Sequence, residues 1–420
     1  MRSHLPACLL TSTITECNTG LQSKRSPMST REPLLLLLLL LLLMATGHQV
    51  AAQLEDIRLP AGFTITAFAT NLPNARSLAI SGADSRVVYV STRQLSNVYA
   101  CVDADRDGQA DTVTTVISDK PTPNGIAWRD GNLFVVTPTS VWRYSDVDQH
   151  ALDGTPFPAP TLVFGEFPSQ QSHAWRYAAF GPDGKLYVAI GADCNVCIEE
   201  LPFASLQRLD LETLQVETVA QGIRNTVGFA WHPDTQQLWF TDNGRDMMGD
   251  NIPDCELNVI DGTSAGIPNY GYPFCHTVGS GDPYNRDVGP GTLVADPSVN
   301  ANGQVDCGQY IRAVQALGPH VAPLGMDFYT GSAFPAEYNR SVFIALHGSW
   351  NRAQKIGYQV TRVVLDSSNR AVSHEPFATG WLEGQSAWGR PVDVAMHPDG
   401  SLLVSDDGSN MVYRIAYTGQ

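Results

Sequence analysis

The chain has 420 residues, 43% of them hydrophobic, so it is long enough to bury a large core. Its formal net charge is −16, and no basic run interrupts the acidic balance. Because a nucleic-acid-binding face needs clustered Lys and Arg, we exclude nucleic acid as a partner.

The first element in chain order is an N-terminal targeting segment. Arg31 precedes an unbroken leucine run from Leu34 to Leu43, and small residues follow as far as Ala52. A basic start, a short apolar stretch and small residues are typical of a secretory signal, and the run is short for a bilayer span. We predict that residues 1–52 are a signal peptide, with an overlong upstream start before Met28. The protein would then be secreted or periplasmic, with no stable membrane span; an uncleaved anchor is the alternative.

From residue 53 onward a β-strand pair recurs, and no long stretch shows an amphipathic helical period. Each copy has a small-apolar strand, a turn such as His/Gly-Pro-Asp-Gly, and a second apolar strand. The six copies begin at Ser77, Asn124, Tyr177, Val227, Leu324 and Val392. Repeats of about 40–50 residues indicate propeller blades, which bury their faces only against neighbours. We predict that residues 53–420 form an all-β, six-bladed β-propeller of four-stranded antiparallel blades, with seven blades as the alternative.

One interval between repeats is much longer than the others. The equivalent residues Ala230 and Asp327 are 97 residues apart. We interpret this interval as one blade with a long loop insertion, about Asp261 to Pro323, which is rich in Gly, Pro and Asn. Because the loops on one face of a propeller converge on its axis, we expect ligand sites there.

Six cysteines follow residue 52, which is an even number. They are Cys101, Cys194, Cys197, Cys255, Cys275 and Cys307. In an exported chain this favours disulfides, and the pairing stays open. The Cys194-Asn-Val-Cys197 motif is also compatible with a redox site or half of a zinc site, but the sequence has no second CxxC. Ile198 follows the motif instead of His, which excludes covalent haem.

An acidic loop in the first repeat predicts a structural calcium site. Asp103, Asp105 and Asp107 alternate along the chain, and Asp111 follows a glycine that suits a sharp turn. Thr114 stands where an EF-hand has Glu, so we expect a calcium loop on a β-hairpin and not an EF-hand. A plain acidic turn is the alternative.

Two polar groups lie directly before inner strands and are candidates for chemistry. His173 precedes the first strand of the third repeat, where imidazole could accept a proton at neutral pH. Arg224 and Asn225 precede the fourth, where they could bind an anion or a carbonyl. The alternatives are a structural histidine and an arginine–carboxylate bridge between blades.

Several motifs, in this order and spacing, resemble the glucose/sorbosone dehydrogenase family. They are His173 before Gly181-Pro-Asp-Gly184, Arg224-Asn225, Asp254-Cys-Glu-Leu-Asn258, Asn269-Tyr-Gly-Tyr-Pro273, His347-Gly-Ser-Trp-Asn-Arg352 and Gly389-Arg-Pro-Val-Asp-Val394. The resemblance spans nearly the whole chain after the signal peptide. Members of this family are soluble quinoproteins that use pyrroloquinoline quinone (PQQ).

The resemblance implies roles for matching residues. His173 corresponds to the general base that takes the proton from the sugar C1 hydroxyl while hydride passes to the quinone. Arg224, which we also count as catalytic, and Asn225 correspond to residues that bind the quinone oxygens. The backbone carbonyls of Gly244 and Arg245 would hold the Ca²⁺ that also binds PQQ.

Further cations are implied for the cofactor's carboxylates. Arg390 matches one of the family's carboxylate-binding arginines, and Arg352 and Lys355 are candidates for another cation. Two positions depart from the soluble glucose dehydrogenases: Pro123 replaces a glutamine, and Val392 replaces a second arginine. These departures favour the sorbosone or pyranose dehydrogenase branch and make glucose a doubtful substrate.

The sequence therefore predicts an exported PQQ- and Ca²⁺-dependent dehydrogenase that oxidises a sugar or a related hydroxyl or aldehyde substrate. Because the sequence contains no haem motif or carrier domain, we expect a separate electron acceptor. The alternatives are a calcium-dependent propeller lactonase or esterase, and a non-catalytic ligand-binding propeller.

Overall fold

The computed structural model describes residues 53–82, 85–170, 172–262, 264–279 and 288–419. The predicted signal peptide, residues 1–52, lies outside these ranges. Among the described helices, none combines the length and the apolar character needed to cross a membrane.

Six four-stranded antiparallel sheets account for most of the described chain, which confirms the predicted six-bladed propeller. The chain enters the ring as β1 (Phe63–Ala69), which belongs to the last blade. Blade I then comprises β2 (Ala75–Ile80), β3 (Val87–Thr92), β4 (Val98–Val102) and β5 (Thr112–Ile117). Blade II comprises β6 (Gly125–Arg129), β7 (Asn132–Val136), β8 (Val141–Tyr144) and β9 (Thr161–Phe164). Blade III comprises β10 (Ala178–Phe180), β11 (Leu186–Ile190), β12 (Ser205–Leu209) and β13 (Val216–Gln221).

The remaining blades include two small hairpins between their strands. Blade IV comprises β14 (Phe229–Trp231), β15 (Leu238–Asp242), β16 (Asp254–Ile260) and β19 (Gln315–Pro319), and the hairpin of β17 (Cys275–Val278) and β18 (Thr292–Ala295) precedes β19. Blade V comprises β20 (Pro323–Phe328), β21 (Val342–Leu346), β22 (Gln359–Leu365) and β23 (Ala371–Ala378). After the hairpin of β24 (Leu382–Glu383) and β25 (Ser386–Ala387), blade VI comprises β26 (Pro391–Met396), β27 (Leu402–Asp406), β28 (Met411–Tyr417) and β1.

Helical segments are short and lie in the connections between strands. They are α1 (Val147–Asp153) and the 3-10 helices Cys307–Gln309 and Ala336–Tyr338.

The burial of each strand follows from its place in the blade. The second strands β3, β11, β15, β21 and β27 are buried at every residue, because the blade is covered on both faces by its neighbours. These strands accordingly read as continuous apolar runs and not as an alternating pattern. The outer strand β5 is largely exposed. The repeated strand pair that the sequence shows is therefore the inner half of each blade.

The ring is closed by strand pairing between the two ends of the described chain. Strand β1 pairs with β28, and Phe63 lies opposite Tyr417. The Phe63 ring makes edge-on contacts with the rings of Phe334, Tyr338, Phe377 and Tyr417, with centroid distances of 4.7 to 5.1 Å. This aromatic cluster joins blades V and VI, so closure depends on apolar packing as well as on the hydrogen bonds of the sheet.

The long interval of blade IV contains ordered elements. The segment predicted as an insertion over about 261–323 includes the β17/β18 hairpin and also β19, the fourth strand of the blade. The Cys275–Cys307 disulfide joins this hairpin to a 3-10 helix, and a second disulfide joins Cys194 and Cys197. Cys101 and Cys255 are buried thiols.

We predict that Phe63→Ala lowers the free energy of unfolding by about 3–5 kcal/mol, because it removes a buried ring from the closure of the propeller. Val372→Ala is the control, since Val372 is about half exposed on β23. Urea denaturation followed by tryptophan fluorescence measures both variants. Equal stability of the two variants would show that the aromatic cluster does not hold the ring closed.

Candidate functional site

A polar cavity of about 420 Å³ lies where the inner strands of the propeller begin. Residues from five blades line it, and they include the predicted residues His173, Arg224, Asn225, Gly244 and Arg390. The sequence placed each of these residues directly before an inner strand or after a second strand. The structure brings them together in one cavity.

His173 is held as a neutral imidazole with a defined tautomer. Its Nδ1 lies 2.6 Å from the carbonyl oxygen of Ala192, and a carbonyl only accepts, so Nδ1 carries the proton and Nε2 keeps its lone pair. Burial lowers the pKa of His173 to about 4, with further lowering by the positive charges of Arg224 and Arg93. Nε2 is therefore an unprotonated acceptor at neutral pH.

The backbone at His173 is strained, and the adjacent Gly191 has no side chain that would collide with it. His173 has φ 48°, in the left-handed region that side chains other than glycine rarely adopt. Such strain costs on the order of 1–3 kcal/mol and is concentrated at functional sites. A Cβ atom at Gly191 would lie 2.6 Å from the His173 Cβ, so a glycine is required there. Both features favour a functional position for the imidazole.

All five N–H donors of Arg224 are directed at acceptors of the protein. Its Nε and one terminal nitrogen donate to the backbone oxygen (2.9 Å) and Oδ1 (3.0 Å) of Asn195. That terminal nitrogen also pairs with the Asp246 carboxylate at 3.2 Å. The other terminal nitrogen donates to the carbonyl oxygens of Asn243 and Gly244. Because its N–H groups already have acceptors, Arg224 would interact with a ligand through its positive charge and its planar face and not by donating a hydrogen bond.

A buried carboxylate sets the backbone at Arg224 and Asn225. The two oxygens of Asp242 accept the backbone N–H groups of Arg224 at 3.0 Å and of Asn225 at 2.7 Å. Burial, together with the neighbouring Glu256, raises the pKa of Asp242 to about 7. Arg224 and Asn225 therefore have a fixed backbone conformation before the inner strand β14 begins.

A second group of cations faces the cavity and is held by one carboxylate. Asp407 pairs with Arg76 at 3.0 Å, with His347 at 2.9 Å and with Arg390 at 3.1 Å. Although burial alone would raise it, the charges of His347, Arg76 and Arg390 hold the pKa of Asp407 well below its ordinary range. Burial lowers the pKa of Arg93 to about 10, so Arg93 stays charged at neutral pH.

The cavity is therefore positively charged in a protein whose net charge is strongly negative. The described lining residues include four arginines (Arg76, Arg93, Arg224, Arg390) and one carboxylate, that of Asp246, while Asp407 pairs with two of the arginines from outside the lining. Focused positive charge of this kind attracts an anionic ligand. The Arg93 guanidinium also lies 3.6 Å above the ring of Trp175, which gives the cavity a flat wall.

Three of these residues were not predicted from the sequence, although a signal for them exists. Arg93, His347 and Asp407 each come directly after the second strand of their blade. They stand at the position that Asn243 occupies after β15 in the fourth repeat. Applying the same offset to every repeat would have found the others.

Arg352 and Lys355 are not among the cavity-lining residues. The Arg352 guanidinium donates to the carbonyl oxygens of Asp250 and Gln354 and so joins two loops. Arg76 and Arg93, which the resemblance did not name, do line the cavity, and the role of Arg352 and Lys355 in cofactor binding stays a prediction. Two aromatic residues follow His173 closely: Trp175 lines the cavity, whereas Tyr177 packs edge-on against Phe229.

A smaller cavity of about 30 Å³ shares Arg224, Asn243 and Gly244 with the first, and Arg245 also lines it. Buried carboxylates of Asp242, Asp254 and Glu256 line it. Burial raises the pKa of Asp254 to about 7, and Asp254 Oδ1 has no hydrogen-bond partner among the described residues. Unpaired buried carboxylates are costly without a cation. The side chain of Arg245 does not supply it, since it pairs with Asp296 at 2.7 Å.

The predicted structural calcium loop lies between β4 and β5 of blade I. Carboxylate oxygens of Asp103, Asp105 and Asp111 lie within 4.8 Å of one another. Asp107 lies outside this group, and its carboxylate accepts the backbone N–H of Gln109 at 2.8 Å. Three of the four predicted ligands therefore converge, and calcium binding there stays a prediction.

Comparisons with known proteins give a consistent set of relatives. A family model described as TrAA12-like matches residues 57–418. An uncharacterized protein of Borreliella burgdorferi is 32% identical over 314 residues, which cover 73% of this chain and 78% of that protein. A pyrroloquinoline quinone-dependent pyranose dehydrogenase of Coprinopsis cinerea is 28% identical over 201 residues, covering 41% of this chain but 26% of that protein.

Among solved structures, the calcium structure of the Trichoderma reesei carbohydrate-active enzyme of family AA12 superposes with a TM-score of 0.72. The sequence identity is 20%, and the alignment covers 86% of this chain and 97% of that one. This likeness shows a shared fold.

We predict that the His173 imidazole is neutral, with the proton on Nδ1, at every pH above about 5, and that it titrates near 4. The physical reasons are its burial and the charges of Arg224 and Arg93. Ring ¹⁵N chemical shifts measured across a pH series give both the tautomer and the pKa, and His173→Ala assigns the signal. A midpoint near the ordinary value of about 6.5 would contradict the observed environment.

Proposed function

The chain belongs to the TrAA12-like family, and on that premise we propose that it is a PQQ- and Ca²⁺-dependent dehydrogenase of a sugar or a related hydroxyl or aldehyde substrate. One observation carries the proposal: an unprotonated His173 Nε2 opens into a cavity lined by four arginines. A proton acceptor beside a site that suits a multiply anionic ligand is what oxidation of a hydroxyl with a carboxylated cofactor requires.

The cavity fits PQQ in charge and size. PQQ carries three carboxylates, and guanidinium groups are the side chains best suited to bind carboxylates. Arg76, Arg93 and Arg390 would hold those carboxylates, with Arg224 and Asn225 near the quinone oxygens. A volume of about 420 Å³ lies within the usual range of about 300–1,000 Å³ for cofactor sites. The Coprinopsis cinerea relative is a PQQ-dependent enzyme, which supports the same assignment.

The oxygen atoms around Gly244 fit a calcium ion. The backbone carbonyls of Gly244 and Arg245 would hold it, and the buried carboxylates of Asp254 and Glu256 adjoin them in the smaller cavity. Ca²⁺ prefers carbonyl and carboxylate oxygens, and the unpartnered Asp254 Oδ1 is such a ligand. The similar Trichoderma reesei structure is a calcium structure, which supports this choice of metal.

The protein's own part in the reaction is to take a proton and to hold charge. When bound, PQQ supplies the hydride acceptor and Ca²⁺ supplies Lewis acidity. His173 Nε2 accepts the proton of the substrate hydroxyl, while the Ala192 carbonyl keeps Nδ1–H in place and stabilises the resulting imidazolium. Arg224 holds the Gly244 carbonyl in position.

A calcium-dependent lactonase is less well supported by this cavity. It would need carboxylate and amide side chains as axial metal ligands. Here the Asp246 carboxylate pairs with Arg224, and the Asn243 amide donates to the carbonyl oxygens of Asn225 and Pro323.

The cellular context of the proposal comes from the sequence. The leucine run of Leu34–Leu43 supports export to a secreted or periplasmic location. We propose that electrons pass from the reduced cofactor to a separate acceptor.

The decisive experiment reconstitutes the purified protein with PQQ and Ca²⁺ and follows reduction of an artificial dye with a panel of aldoses and ketoses. We expect turnover with the wild type. His173→Ala should still bind PQQ but should lose about 10²–10⁴-fold in turnover, because it lacks the proton acceptor. His150→Ala is the matched control, since His150 lies on α1, outside the cavity.

The outcomes of this experiment separate the candidate functions. PQQ binding without turnover on any substrate would leave a ligand-binding propeller. Neither PQQ binding nor dye reduction would overturn the proposal. Unchanged turnover in His173→Ala would show that His173 is not the base.

We predict that Ca²⁺ raises the melting temperature more at pH 8 than at pH 5. The folded carboxyl of Asp254 has a pKa of about 7, so between its ordinary value and 7 it keeps a proton that the unfolded chain has released. Without metal, stability therefore falls as pH rises through this window, and a bound cation restores it by favouring the ionised form.

Two variants locate this effect of calcium. Asp254→Asn should reduce the pH-dependent part of the shift, whereas Asp105→Asn, in the loop of blade I, should retain it in full. Differential scanning fluorimetry with Ca²⁺ and with a chelator measures both. A shift that is equal at both pH values, or that Asp254→Asn leaves intact, would contradict a metal beside Asp254.

A further inference from the structure

The Cys194-Asn-Val-Cys197 motif lies behind the cavity, in the connection between β11 and β12. Its cysteines form a disulfide that closes a loop around Asn195 and Val196, called here the Cys194–Cys197 loop. Neither cysteine residue is fully buried, so a small reductant can reach the bond. The proposed reaction gives this disulfide no role.

Asn195 binds two residues of the cavity wall. Its backbone oxygen and its Oδ1 accept from Arg224 at 2.9 and 3.0 Å, and they are two of the five acceptors that hold that guanidinium. Its side-chain amide also forms a reciprocal pair with the backbone of Asp246: Oδ1 accepts the N–H at 2.8 Å, and Nδ2 donates to the carbonyl at 3.0 Å. Asp246 in turn pairs with Arg224. Asn195 therefore fixes both members of that ion pair.

The same connection also orients His173. The Ala192 carbonyl, two residues before Cys194, accepts the Nδ1 proton of the imidazole. A short chain segment thus holds both the proposed base and the arginine beside it. Movement of this segment would disturb the two groups together.

The disulfide is the covalent constraint on this loop, and one tyrosine supports it. The Tyr272 hydroxyl accepts the backbone N–H of Cys197 at 3.1 Å and lies within 4.0 Å of both sulfur atoms. Chain segments without regular secondary structure gain conformational freedom when a cross-link is removed. Opening the disulfide would therefore loosen Asn195 relative to Arg224.

We propose that Asn195 is a positioning residue for Arg224 and that the Cys194–Cys197 disulfide makes this positioning redox-sensitive. Reduction by a dithiol breaks the S–S bond; each sulfur gains one electron and one proton, and the dithiol becomes a disulfide. The consequence for cofactor affinity rests on the proposed function, whereas the coupling of the loop to Arg224 and Asp246 does not.

The first test measures that coupling without any cofactor. Hydrogen-exchange mass spectrometry compares the wild type with Cys194→Ser/Cys197→Ser, and the matched control is Cys275→Ser/Cys307→Ser, which opens the other disulfide. We expect the amides of Cys197 and Asp246 to exchange about tenfold faster in the first variant, since each loses a fixed acceptor. The control should keep wild-type rates there. Unchanged exchange at both amides in the first variant would overturn the proposal.

The second test uses Asn195 itself. Asn195→Ala removes both the Oδ1 acceptor and the Nδ2 donor, whereas Asn195→Asp keeps an acceptor for Arg224 and loses only the donor to the Asp246 carbonyl. In a PQQ titration with Ca²⁺, we expect about tenfold weaker binding for Asn195→Ala and an affinity between those of the alanine variant and the wild type for Asn195→Asp. Wild-type affinity in Asn195→Ala would contradict the positioning role. If the wild type itself binds no PQQ, the proposed function fails, and hydrogen exchange alone decides the role of the loop.

Discussion

The pairing of one buried carboxylate with two guanidinium groups and one imidazole holds this cavity together. Asp407 binds Arg76 of blade I, His347 of blade V and Arg390 of blade VI. Without that anion, the two guanidiniums would repel each other, and burying them would be costly. Because the three partners come from different blades, they meet only in a closed ring. The Phe63 cluster, far away in sequence, is therefore a condition for the site as well as for the fold.

Buried carboxylates at the ends of other second strands also fix residues of the cavity. Asp242 accepts the backbone N–H groups that open the inner strand of blade IV, and Asp406 accepts the backbone N–H of Arg390 in blade VI. In each case a carboxylate at the end of the second strand fixes the backbone of the residues that lead into the adjacent inner strand. The polar lining is thus placed by hydrogen bonds to regular structure, which favours preorganisation over adjustment on binding.

The positive charges that favour an anionic ligand in the cavity also lower the pKa of His173. Burial and the charges of Arg224 and Arg93 lower the pKa of His173, so its imidazole is a neutral but weak base. An anionic ligand would offset these two charges and raise the pKa of the imidazole. His173 would then become a stronger proton acceptor when the cavity is filled. The proposed redox sensitivity of the Cys194–Cys197 loop acts on the same two residues, since the loop binds Arg224 and the adjoining Ala192 binds His173.

The sequence alone determined the repeat, and the repeat determined much of the site. Strand pairs at regular spacing specify blades, and His173, Arg224 and Asn225 were found because they stand before inner strands, whose starts share one face. Arg390 came from the family resemblance. Tertiary structure alone decided which cations meet. Arg352 lies near a matching motif yet joins two loops, whereas Arg76 and Arg93 line the cavity. The disulfide pairing was likewise decided by the fold. A local pattern fixes the direction of a strand, but contacts between blades depend on closure of the whole ring.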